Sequence, residues 1–65
     1  MKTVFVRRDG SLSVAAHLAE MNAWLAEHKM TARELVMLRV LNFQLVFRAT
    51  FERDADADAF VAKFG

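Results

Sequence analysis

The chain contains no cysteine and no proline, and its only glycines are Gly10 and Gly65. The missing cysteines exclude disulfides and thiolate metal sites. Without proline, and with glycine so sparse, there is no flexible or proline-rich linker, and no glycine-rich loop that could wrap backbone amides around a phosphate. Strong charge of one sign is also missing: nine basic residues face eight acidic ones, a formal charge of +1. Recognition of a polyanion through bulk charge normally needs a clearly basic face. Long apolar runs are absent too. The longest, residues 35–47, is broken by Arg39, Asn42 and Gln44, and a bilayer-crossing helix needs about 20 apolar residues. The opening "MKTVFVRRDG" carries Arg7, Arg8 and Asp9 where a secretory signal requires an apolar stretch. These absences lead to the expectation of a soluble, cytoplasmic protein forming a single domain over residues 1–65, with no membrane partner.

Hydrophobic residues, by contrast, are plentiful at 55%, with six phenylalanines and one tryptophan among 65 residues. A domain this small buries only roughly 60% of the surface its unfolded chain exposes. Some apolar surface must therefore stay uncovered, and contiguous apolar surface marks an interface. The expected partner is a second copy of the chain, giving a homodimer, or another protein.

Residues 2–8, "KTVFVRR", alternate and favour a strand. Val4 and Val6 point one way, and Thr3, Phe5 and Arg7 the other. "RDGS" turns the chain, and Ser11 or Ser13 can cap the helix that follows. Val14, Leu18, Met21 and Leu25 recur at helical spacing, predicting a helix to about His28 with one core-facing stripe. His17, Trp24 and His28 flank that stripe.

The stretch "FQLVFRATFE" alternates cleanly and predicts a strand. The preceding "TARELVMLRVL" is ambiguous. Thr31 and Glu34 have the spacing of a capping box, which favours a helix, while an all-apolar run suits a buried strand as well. Pairing favours the strand. Folded as a hairpin, Val36 meets Ala49, Leu38 meets Phe47 and Val40 meets Leu45 on one face. Met37 and Arg48, and Arg39 and Val46, then share the other face, so that both arginines escape burial. A one-residue bulge that set Arg39 opposite Phe47 would be worse. Asn42-Phe43 is a poor two-residue turn because phenylalanine resists positive φ, so a four-residue loop is expected. Were 32–41 helical instead, the opening would resemble a ribbon-helix-helix DNA-binding unit with "TVFVRR" as its reading strand. The strand at 43–52 has no place in such a unit.

Ala57, Phe60, Val61 and Phe64 form the apolar side of a last short helix. The fold class is therefore α+β in the order β-α-β-β-α. That order is similar to a ferredoxin-like fold lacking its last strand, with both helices on one face of a three-stranded sheet. The likeness is architectural and attaches no function.

Little in this chain has the pattern of reaction chemistry. Asp54, Asp56 and Asp58 match the first ligand positions of a calcium loop, but Ala59 and Gly65 stand where the glycine and the bidentate glutamate belong. Asp54 as helix cap, with Asp56 and Asp58 in the first turn, explains them more simply. His17 and His28 lie about 16 Å apart along one helix and cannot share a metal. Ser11 and Ser13 have no companion base. No catalytic, cofactor-binding or metal-ligating residue is assigned, and no enzymatic activity or cofactor is expected.

The constellation that remains is the sheet face away from the helices. It is expected to carry Phe5 and Arg7 from the first strand, and Leu35, Met37, Arg39 and Leu41 from the second. Val46, Arg48 and Thr50 complete it. Large apolar residues across neighbouring strands suit a protein or homodimer interface, as does the unpaired edge of the first strand. Phe5 with Arg7, Arg39 and Arg48 is a weaker match to the stacking-and-phosphate surface of single-stranded nucleic-acid binders.

Overall fold

A computed structural model describes residues 1–65. Strand β1 (Lys2–Asp9) leads into helix α1 (Val14–Glu27), followed by β2 (Glu34–Leu41), β3 (Gln44–Phe51) and helix α2 (Asp54–Phe64). The strands form one open antiparallel sheet in the order β1-β3-β2. Both helices bury their apolar sides against the same sheet face. His17, Met21 and Leu25 come from α1, and Ala57, Phe60 and Phe64 from α2. Val6, Leu45, Phe47, Ala49 and Phe51 meet them from the sheet. No helix is long and apolar enough to cross a membrane.

Local chemistry accounts for the element ends. Ser13 is the N-cap of α1, its Oγ accepting from the Ala16 amide at 3.1 Å. At the other end Lys29 adopts a left-handed φ of 56°. Its amide donates to Ala26 O and that of Met30 to Leu25 O, which together close the last turn. Helix α2 begins differently from expectation. Arg53 occupies the cap position without a side-chain bond, and Asp54 and Asp56 sit in the first turn. There their charge faces the positive end of the helix dipole. Asp54 thus acts through charge, not as the cap.

Segment 34–41 is a strand, which removes the basis for a ribbon-helix-helix opening. Its register departs from the simple hairpin. Arg39 pairs with Val46 and Val40 with Leu45, as expected, but a bulge lies between Met37 and Arg39. Beyond it Met37 pairs with Phe47, Val36 with Arg48, Leu35 with Ala49 and Glu34 with Thr50. Leu35 and Met37 therefore face the helices and pack on the core, contrary to the expectation that placed them on the outer face. The reason lies in Glu34. A hairpin without the bulge would set it opposite Phe51, which is fully buried, and burying an unpaired carboxylate is costly. The bulge turns Glu34 outward to bond Arg48 and still leaves Arg39 on the outer face.

The hairpin closes through a two-residue turn, with φ of 51° at Asn42 and 64° at Phe43, rather than the four-residue loop expected. Positive φ at both positions matches the twist of the flanking strands, and that fit outweighs the reluctance of Phe43. Its carbonyl accepts from the Gly10 amide at 3.0 Å. A Cβ at position 10 would stand 2.3 Å from that oxygen, so the first turn needs glycine to approach the hairpin tip.

Candidate binding face

The outer face is built in cross-strand rows. Arg7, Val46 and Arg39 form one row across β1, β3 and β2, and Phe5, Arg48 and Val36 form the next. Side chains on one face of neighbouring strands lie close enough to act together. Val46 is nearly buried although it faces outward. It forms the floor of a depression of about 490 Å³ lined by Phe5, Arg7, Leu38, Arg39, Leu41 and Val46. Phe5, Leu38 and Leu41 are 54%, 42% and 40% exposed, so its walls are apolar and open.

Of the residues expected on this face, Phe5, Arg7, Arg39, Leu41, Val46, Arg48 and Thr50 are there, and Leu35 and Met37 are not. Leu38, carried outward at the bulge, takes the place of Met37 in the depression. Arg48 Nε donates to Glu34 Oε1 at 2.9 Å and Nη2 lies 2.7 Å from the same oxygen, so its charge is compensated. Arg7 and Arg39 form no salt bridge. The centre of the face therefore carries two free guanidinium groups over an apolar floor. Thr3 and Thr50 hydroxyls bond across its lower end at 3.0 Å.

The aspartates of "DADAD" tie the first strand to the last helix. Lys2 Nζ lies 2.5 Å from Asp58 Oδ1, and the terminal amine 3.9 Å from Asp54 Oδ1. The hydrogen bond to Asp58, reinforced by its charge, holds the Lys2 ammonium above its ordinary range. No three His, Asp or Glu side chains are gathered as a metal would require. His17 is buried rather than flanking. Its Nε2 donates to the Asp9 carbonyl at 2.6 Å, and its ring meets Phe47 edge-on at 6.0 Å. That bond satisfies a polar atom that would otherwise be costly to bury. Trp24 stands 5.5 Å from Phe64 and 6.2 Å from Phe60, joining the two helices.

Two features escaped the reading of the sequence. Arg8, on the helix side, lies over the Phe64 ring at 5.3 Å and bonds Glu20 at 3.0 Å. The alternation through Val4 and Val6 already placed it there, at a strand end where a long side chain can reach out. The second feature is the hairpin tip, where Val40 and Phe43 are 59% and 91% exposed. No alternation rule could reveal that, because it depends on where the helices stop.

Comparison with known proteins returns nothing: no protein-family model, curated protein or solved structure matches the chain.

Proposed function

We propose that this chain is a small binding module acting through protein–protein contact, with a second copy as its partner, and that it is not a catalyst. The observation that carries the reading is where the exposed apolar surface lies. Of seven large exposed hydrophobics, Phe5, Leu38 and Leu41 line one depression on the outer face, while Val40 and Phe43 lie together at the hairpin tip. Scattered exposed apolar residues need no explanation, whereas a contiguous group marks an interface. Sedimentation equilibrium tests it: the average mass should rise with concentration from 7.4 kDa towards twice that value. Leu38→Glu should hold the protein at the single-chain mass without unfolding it, since the side chain is exposed. A wild-type chain that stays monomeric at every concentration overturns the reading. The ferredoxin-like arrangement short of one strand belongs to the same proposal, since β1-β3-β2 is the strand order such a fold would use.

A second reading rests on the row Arg7–Val46–Arg39 beside Phe5. Free guanidinium groups next to an open aromatic suit single-stranded nucleic acid. Titration of labelled single-stranded RNA at low and moderate salt tests it, and the absence of salt-dependent binding ends it.

A further inference from the structure

We propose that two copies join edge to edge through β2, antiparallel about Val36, to make one continuous six-stranded sheet. This rests on the self-association proposed above and specifies its geometry. Strand β2 lies at the sheet edge, so one row of its backbone amides and carbonyls has no strand beside it. Its sequence "ELVMLRVL" is apolar on both faces, the composition of a strand covered on both sides and flanked by neighbours. The other edge strand, "KTVFVRRD", carries four charges among eight residues, and charge on an edge resists pairing.

The charges on β2 favour one register. Glu34 and Arg39 both lie on the outer face. With Val36 opposite its own copy, Leu35 meets Met37 on the helix side, and Glu34 meets the bulge that carries Leu38 and Arg39. Each copy's free Arg39 would thereby reach the partner's Glu34 and share that carboxylate with Arg48. The bulge limits straight pairing to Glu34–Met37, a short ladder. Side chains add to it. Helix α1 leaves a groove of about 590 Å³ beside β2, lined in part by Leu25, Met30, Ala32 and Leu35, and Met37 of the second copy would arrive at its rim. Packing two outer faces together would instead gather Arg7 and Arg39 from both copies. The acids on that face are Glu34, bonded to Arg48, and Asp9, which accepts from the Ser11 amide, so such an interface would gather more guanidinium groups than free carboxylates.

Arg39→Glu separates these geometries because its predicted effects have opposite sign. In edge pairing it sets carboxylates against each other and should weaken the dimer about tenfold or more. In face packing it relieves repulsion and should tighten the dimer. Amide hydrogen exchange of the wild-type chain, above and below its dissociation constant, provides the second measurement. Edge pairing predicts that β2 amides gain protection on dimerisation while those of β1 do not. A dimer that Arg39→Glu tightens, or one in which β2 amides stay unchanged, overturns edge pairing and leaves self-association standing. A chain that never dimerises overturns both.

Discussion

Strands β2 and β3 are the two halves of one hairpin, equal in length and close in apolar content, yet their environments differ completely. In β3, Leu45, Val46, Phe47, Ala49 and Phe51 are buried, whereas no residue of β2 is. Position accounts for the difference. Strand β3 has a neighbour on each side and helices above it, while β2 has one neighbour and only partial cover. Apolar composition creates the demand for burial, and placement in the sheet decides which strand receives it. A strand left short is the natural place for a partner.

The largest expected effect tests that contrast directly. Phe47→Ala removes a fully buried ring and should cost about 3–5 kcal/mol in chemical denaturation, much of the stability of a domain this small. Leu38→Ala on β2, measured at high dilution, should stay within about 0.5 kcal/mol, as for a surface position. Comparable losses at both sites would break the comparison.

The next effect concerns what joins the two strands. Gly10→Ala would drive a Cβ into the Phe43 carbonyl and displace the turn, at a cost of about 1–3 kcal/mol. An unchanged denaturation midpoint would mean that the contact between the turns does not matter. Smaller, and opposite in sign, is Phe43→Gly. It relieves a left-handed backbone at a residue whose ring touches little, and should stabilise the fold by about 1 kcal/mol. Destabilisation instead would show that the Phe43 ring packs against something in solution.

The smallest effect lies at the end of β1. Hydrogen bonds from the Ser11 amide and then its hydroxyl hold the Asp9 carboxyl below its ordinary value of 3.8. A depressed carboxyl stabilises the fold fully above its unfolded value, and that contribution fades as pH falls through the folded one. Asp9→Asn should therefore remove that contribution near neutrality, and its stability should converge with that of the wild-type chain as pH falls below about 4. A pH profile identical to that of the wild-type chain would remove this role.

Much of the fold can be read from local pattern. The two-residue period of "KTVFVRR" and "FQLVFRATFE" marked β1 and β3 with their faces, and Val14, Leu18, Met21 and Leu25 marked α1. Ser13 was among the cap candidates. Most of the outer face followed, because Phe5, Arg7, Val46 and Arg48 belong to strands that alternate. Met37 was misplaced because β2 does not alternate: "LVMLRVL" offers an apolar residue to either face at almost every register. His17 was misjudged for a different reason. Its burial depends on the Asp9 carbonyl waiting at the end of β1, a partner that helical spacing cannot show.

By itself, then, the sequence determined the element order, the strand character of β1 and β3, and the surplus of apolar surface. Those properties reside in periodicity and composition, which are local. Tertiary structure decided the bulge at Leu38, the left-handed turn at Asn42-Phe43 and the side of the sheet on which Met37 lies. Each depends on a contact across the sheet or between turns: Glu34 with Arg48, Gly10 with Phe43, Met37 opposite Phe47. Where both faces of a strand are apolar, alternation carries no information about register, and only the need to keep one carboxylate out of the core could choose it.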